Sequence, residues 1–248
     1  MATQDGPKYS GPQDGLIFSF DPKNRQCWGG GTDISSIVNN SSMTGSIYNS
    51  SDPMKTDGAL TTEGYFEDDG TDDYINIANV GGHLSGSSYL TVEYWANMDS
   101  YASKGIFGIN KDDTFAWAGG TGVDSNFYGN DVRWNVRNAD ENYSWVNIST
   151  IAAVGNWFQF VGTFDGTQSG NNKALCYING VKRALNYSGT LKSTLGDFAS
   201  SDYFIIGSGG NESWMLDGKV AIINVWNRTL SASEVLTNYN RLKGRFGL

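Results

Sequence analysis

The feature that most constrains this chain is a recurring rhythm of short β-rich runs, each stopped by a cluster of glycine, asparagine, aspartate or serine. GLIFSFD, DYINIA, YLTVEYWANM, GIFGIN, VRWNVR, YSWVNIS, NWFQFVGTFD, KALCYING, DYFIIGS and KVAIINVWN follow one another in this way. Such spacing belongs to an all-β sandwich or barrel. With 32 glycines and only 4 prolines, the turns are built from residues that tolerate positive φ, which tight reversals require.

Alternation within the runs points to stacked sheets. In LTVEYWANM, Leu90, Val92, Tyr94 and Ala96 share one face and Thr91, Glu93, Trp95 and Asn97 the other, because strand side chains alternate with period two. NWFQFVGTF is apolar on both faces and reads as a central strand. Helical spacing occurs only at the end. Ser231-Ala-Ser-Glu234 is a capping box, Val235, Leu236, Tyr239 and Leu242 follow at helical intervals, and Gly244 is the expected C-terminal cap. The reading is a two-sheet antiparallel β-sandwich with one short C-terminal helix. A flexible tail is expected over 1–13 and a single domain over 14–248, a length that all-β domains commonly reach.

Charge narrows the partners. A net charge of -9, with no basic cluster, argues against nucleic acid, whose affinity depends on Lys and Arg neutralising phosphates. The opening MATQDGPKYSGPQDG has no basic n-region or apolar h-region, so export through a signal peptide is not expected. No run reaches the roughly 18 apolar residues of a membrane span. Cys27 and Cys176 form no metal or redox spacing and are expected to be unpaired. His83, the single histidine, lies in the loop-like GGHLSG with no nucleophile beside it.

GYFEDDGTDDYINI, from Gly64 to Ile77, concentrates Glu67, Asp68, Asp69, Asp72 and Asp73. Its Asp-Gly step is a strong reversal signal, and the expectation is a hairpin turning around Asp69-Gly70. Carboxylates and turn carbonyls also suit a hard cation such as calcium, which takes 6 to 8 oxygen ligands. For glycans, which combine aromatic platforms with hydrogen-bonding groups, the expected set is Trp117, Tyr128, Arg133, Asn135, Arg137, Tyr143 and Trp145. DVRWNVRNADENYSWVNIS would place most of these on one hairpin. The alternative is that these aromatics fill the core behind a solvated polar face.

Four pieces also carry a family resemblance in register: YFEDDGTDDYINI, LTVEYWANM, NWFQFVGTFDG with KALCYINGVK, and DGKVAIINVWNRTLSASEVLTNYN. Together they resemble the laminin-G-like form of the concanavalin A-like lectin/glucanase jelly roll, from about Leu16 to the C-terminus. The opening GLIFSFDPKN and closing NYNRLKGRFGL are similar to those of structural proteins of tailed bacteriophages, marine ones especially.

The resemblance implies a concanavalin A-like jelly roll and a non-enzymatic virion protein, assembled in the host cytoplasm. A capsid decoration protein, with the capsid shell and other virion proteins as partners, is the first expectation. A receptor module on head or tail that binds a host-surface glycan is the second. A glycoside hydrolase of this fold is the third. One group of such enzymes carries E-x-D-x-x-E on a single strand, and Glu67 to Asp72 offers only E-x-D-x-x-D, with Gly70 inside it. No organic cofactor is implied. Relatives with structural calcium carry an Asp in the last long strand where this chain has Ala221, which leaves Asp21 and Asp217 as acids to consider. The oligomeric state is not readable from the sequence.

Overall fold

Period-two alternation becomes two stacked layers. The computed structural model describes residues 11–29, 31–38, 43–48, 64–110, 121–138, 143–147, 152–209 and 214–248. Its strands are β1 (Leu16–Phe20), β2 (Asp33–Ser35), β3 (Thr44–Tyr48), β4 (Phe66–Asp69), β5 (Tyr74–Ile77), β6 (Tyr89–Met98), β7 (Lys104–Asn110) and β8 (Gly122–Tyr128). There follow β9 (Asp131–Arg137), β10 (Tyr143–Asn147), β11 (Trp157–Asp165), β12 (Ala174–Ile178), β13 (Val181–Arg183), β14 (Asn186–Ser188), β15 (Phe204–Ile206) and β16 (Asp217–Trp226). Two α-helices lie among the described residues, α1 (Val80–Leu84) and α2 (Ala232–Leu242).

Among the described residues the strands form two antiparallel sheets. A seven-stranded sheet runs β1-β16-β6-β11-β12-β13, with β4 also on β16. A nine-stranded sheet runs β14-β10-β9-β8-β7-β15-β5-β3-β2. β16 is long enough for two neighbours on one side: its first half pairs with β4 and its second with β1. β11 lies between β6 and β12, the central position that its two apolar faces predict.

Aromatic side chains fill the space between the sheets and lock them. Tyr94 on β6 stacks on Phe160 at 4.9 Å and shares a hydrogen bond of 2.9 Å with Ser125 of the opposite sheet. In the other direction Trp134 on β9 donates to the Thr163 carbonyl at 3.1 Å. Gly162 makes that reach feasible, since a Cβ there would lie 2.5 Å from the Trp134 ring. A side chain at Gly162 would therefore force the two sheets apart.

The second face of β6 is covered as well. Glu93 is wholly buried there and accepts from Gln159 (2.7 Å), Asn224 (3.2 Å), Asn238 (3.0 Å) and the Trp95 indole (3.4 Å). Asn238 belongs to α2, so this carboxylate ties the helix to the sheet. α2 starts with the expected capping box, the Ser231 side chain accepting from the Glu234 N–H. Its end differs from expectation. Gly244 does not cap it; the chain continues as a 3-10 turn over Lys243–Phe246, and Gly247 takes the left-handed conformation at φ 74°. The extra turn carries Phe246 onto Trp95 (4.4 Å) and Trp157 (4.7 Å).

Two further expectations change. Val80–Leu84 is a short helix that leaves His83 exposed, where a loop was expected. Glu67 to Ile77 is not a hairpin: β4 pairs with β16 in one sheet and β5 with β3 and β15 in the other. Phe66 and Ile75, both buried, reach the core from opposite layers, so the Asp-Gly turn is a crossing between sheets. Of the expected tail, residues 1–10 lie outside the described residues, while the Pro12 carbonyl accepts from Trp226 at 2.8 Å. Cys27 and Cys176 are buried free thiols, and burial pushes both up to about 12, away from nucleophilic use.

Candidate functional site

The face of the nine-stranded sheet that points away from the core divides into a closed polar half and an open one. The closed half lies on β8, β9 and β10, where alternation sends Val123, Phe127, Val132 and Trp134 inward. Asp124, Asn126, Arg133, Asn135 and Arg137 consequently project from the other side, in register across the β8–β9 pair.

These polar groups bind one another. Asp124 accepts from Asn135 at 2.7 Å, from Asn126 at 2.5 Å and from the Arg137 guanidinium at 3.2 Å, with both members of the ion pair buried. Arg133, also buried, lies over the Tyr128 ring at 4.3 Å. Of the expected glycan set, the structure brings Tyr128, Arg133, Asn135, Arg137 and Trp145 to this one region. Asn135 and Arg137 are enclosed, Trp145 is half-buried opposite Arg133, and Tyr128, 50% exposed, faces solvent and stacks on Trp214. Tyr143 enters through its backbone, opposite Ser188. Trp117 lies outside the described residues.

The open half lies at the other end of the same face, on β2, β3 and β5. A groove of about 510 Å³ is lined there by Asp33, Ser35, Ser46, Tyr48, Asn76 and Tyr203, among others. Tyr48 and Tyr203 are each 44% exposed, and Tyr48 stacks flat on Tyr74 at 5.0 Å, which holds its ring steady. The Asn76 side-chain oxygen is buried at the groove without a hydrogen-bond partner. Exposed rings beside amide, hydroxyl and carboxylate groups make a surface suited to a polyhydroxylated ligand. Sequence reasoning missed this groove because Tyr48 sits in the short run TGSIY, far from Asn76 and Tyr203 in the chain.

The acid-rich crossing forms a second cluster. Asp68, Asp69 and Asp73 each present a carboxylate oxygen within 4.8 Å of the others. Asp68 Oδ1 accepts from the Gly70 N–H and Asp69 Oδ1 from the Thr71 N–H, both at 2.9 Å. Asp68 is 2% and Asp73 0% exposed. Burial, joined by the charges of Asp73 and Asp69, pushes the Asp68 carboxyl up to about 9 although the Gly70 bond and Lys104 act the other way. Glu67 is instead ion-paired with Lys219 at 3.2 Å. Glycosidase chemistry needs two carboxylates flanking a sugar ring, and here the turn at Gly70 interrupts the E-x-D-x-x-D run.

The other acids are placed apart. Asp21 pairs with Arg245 at 2.8 Å, whereas Asp217 stands opposite Asp69. Ala221 is buried with Trp95 and Ile222 in an apolar patch covered by Tyr239, Leu242 and Phe246. Apolar packing thus surrounds the Ala221 position in the last long strand.

Residues 69–236 match the laminin-G-like family model described as the Concanavalin A-like lectin/glucanases superfamily. The chain belongs to this superfamily. No curated protein sequence matches it significantly. Among solved structures it is similar to domain 4 of AbnA, an extracellular GH43 arabinanase from Geobacillus stearothermophilus in complex with arabinotriose. That likeness has a TM-score of 0.58 at 16% identity and covers 90% of this chain and 97% of that one. The sialidase of Trypanosoma rangeli in complex with sialic acid aligns with a TM-score of 0.63 at 12% identity, over 94% of this chain and 34% of the sialidase. The receptor-binding domain of botulinum neurotoxin mosaic serotype C/D aligns with a TM-score of 0.63 at 14% identity, over 92% and 51%. This chain therefore spans about a third of the sialidase and half of the toxin domain, and at these identities the likeness shows the fold.

Proposed function

We propose that this superfamily member is a non-enzymatic bacteriophage virion protein, most concretely a capsid decoration protein that displays its sandwich on the particle surface. The observation that carries the reading is the meeting of the two end motifs that resemble tailed-phage structural proteins. Arg245 of the closing motif pairs with Asp21 of the opening one at 2.8 Å and donates to the Gly64 carbonyl at 2.7 Å. Beside it, Phe246 covers Trp95 and Trp157. The motifs thus work as one clasp, as expected if they belong to one inherited structural unit. The pairing of Glu67 with Lys219 and the burial of Asp68 and Asp73 support the absence of catalysis. Mass spectrometry of gradient-purified particles tests the reading: the protein should co-purify with the shell proteins in many copies, and its absence from particles would overturn the assignment.

The open groove favours a second reading, a glycan-binding module on head or tail. Two fold neighbours were solved with arabinotriose and sialic acid bound, and exposed Tyr48 and Tyr203 beside Asn76 offer a suitable surface here. Binding on a glycan array that Tyr48→Ala removes would support it. An array with no binding, or binding that Tyr48→Ala leaves unchanged, would refute a role for the groove.

A further inference from the structure

Strand register gives the open groove a definite layout. On the outward face Asp33 of β2 stands opposite Ser46 of β3, and Ser46 opposite Asn76 of β5, so three polar side chains form one row across three adjacent strands. Neighbouring strands lie about 4.8 Å apart, which separates Asp33 from Asn76 by roughly 10 Å. Two residues along the strands on one side of this row, Tyr48 stands opposite Tyr74. On the other side Tyr203 immediately precedes Phe204, the β15 partner of Ile77. The row therefore runs between the two exposed tyrosine rings.

The chemistry of the groove is one-sided. Asp33 is exposed and has no ion-pair partner among the described residues. Asn76 Oδ1 is buried with no hydrogen-bond partner, although buried polar atoms are nearly always satisfied. A carboxylate and an amide oxygen only accept hydrogen bonds, while Ser46 between them can donate or accept. No lysine, arginine or histidine lines the groove. The faces of Tyr48 and Tyr203 carry the negative side of the ring quadrupole and attract cations, and the net charge of -9 acts in the same direction at longer range. A ligand that brings donors and positive charge meets complementary groups here, whereas one that brings a carboxylate meets Asp33 with no cation to pair with.

We propose that the groove selects a saccharide with a free amine, an amino sugar in its ammonium form, the ammonium lying between the Asp33 carboxylate and a tyrosine face and a sugar hydroxyl donating to Asn76 Oδ1. The inference rests on the glycan-binding reading of this groove and adds the class of sugar. The volume of about 510 Å³ falls within the range of small-ligand sites. N-acetylation of the same sugar removes the charge and keeps the ring, so the two forms isolate the contribution of the ammonium.

The test titrates the full chain, followed by NMR, with a glucosamine trisaccharide, its fully N-acetylated counterpart and a sialylated lactose at about pH 6, where the amines are protonated. The amine form should bind roughly tenfold tighter than the acetylated form, as one exposed ion pair and one cation–π contact together allow, and the sialylated sugar should bind most weakly. The preference should narrow as salt screens the charges. Asp33→Asn should remove most of it. Asp14→Asn, at an acid whose side chain is 94% exposed outside the groove, should keep it, which separates a local contact from bulk attraction to an acidic protein. Equal binding of the two trisaccharides, or tighter binding of the sialylated sugar, would overturn the amine selection and leave the glycan-binding reading standing. A preference that survives Asp33→Asn would overturn the placement of the ammonium. Binding of no saccharide in these titrations or on a glycan array would overturn that reading and this inference together.

Discussion

Replacing Phe246 by alanine probes the C-terminal clasp. The ring stacks on Trp95 at 4.4 Å with an interplanar angle of 17° and meets Trp157 at 4.7 Å, and it is half-buried. Deleting a fully buried Phe side chain costs about 3–5 kcal/mol, while each well-placed aromatic pair adds roughly 0.5–1.5 kcal/mol beyond its buried area. Scaled for partial exposure and two ring contacts, Phe246→Ala should destabilise the fold by about 2–3 kcal/mol. Urea unfolding monitored by tryptophan emission should show a lower midpoint with an unchanged slope, as expected when the unfolded state is unaffected. The native emission should also move to the red as Trp95 and Trp157 lose their cover. A double-mutant cycle between Arg245→Ala and Asp21→Asn separates the ion pair from the ring; both groups are partly solvated, so their coupling should be about 0.5–1 kcal/mol. A Phe246→Ala midpoint within about 0.5 kcal/mol of the parent protein would mean that residues 243–246 do not cover the sheet in solution.

Glu93→Gln replaces an oxygen that accepts hydrogen bonds with a group that donates them, amid donors from Gln159, Trp95, Asn224 and Asn238, and should cost about 2–3 kcal/mol at pH 5. Burial pushes the Glu93 carboxyl up, against its hydrogen bonds and the charge of Arg241. The folded protein therefore keeps this proton to higher pH than the unfolded chain. The resulting stability is fully present below the unfolded value of 4.5 and is lost as pH rises through the folded value. Glutamine has no such proton, so the difference between the two proteins should shrink from pH 5 to pH 8 in urea midpoints; a difference that grows would contradict this. Asp124→Asn removes the carboxylate facing the buried Arg137 and should cost about 3–5 kcal/mol. Adding Arg137→Met should restore part of that loss, and purely additive effects would refute the pairing.

The layer architecture was legible because alternation in LTVEYWANM and the doubly apolar NWFQFVGTF are local signals, and both strands occupy the expected positions. The capping box at Ser231 was legible for the same reason. The crossing at Gly70 was not. An Asp-Gly step marks a reversal, but whether Phe66–Asp69 pairs with Tyr74–Ile77 depends on Asp217–Val220, which claims β4 from far along the chain. The helix end was misread because Phe246 is drawn to Trp95, a contact across more than half the sequence that outweighs a local glycine signal. On β9 the pattern placed Arg133, Asn135 and Arg137 correctly on one face, but it could not show Asp124 opposite them. That partner draws two of the three, Asn135 and Arg137, into an internal network, while Arg133 lies over the Tyr128 ring. The groove between Tyr48, Asn76 and Tyr203 arises only when β3, β5 and β15 come together.

The most direct test of the central proposal is a cryo-electron microscopy reconstruction of the purified phage particle, with its density fitted by this two-sheet fold. The account predicts copies of the jelly roll on the outer surface of the capsid shell, with the Asp21–Arg245 clasp visible at the domain edge. Particles whose shell and tail both lack such density, in a preparation that contains no detectable copy of the chain, would contradict it.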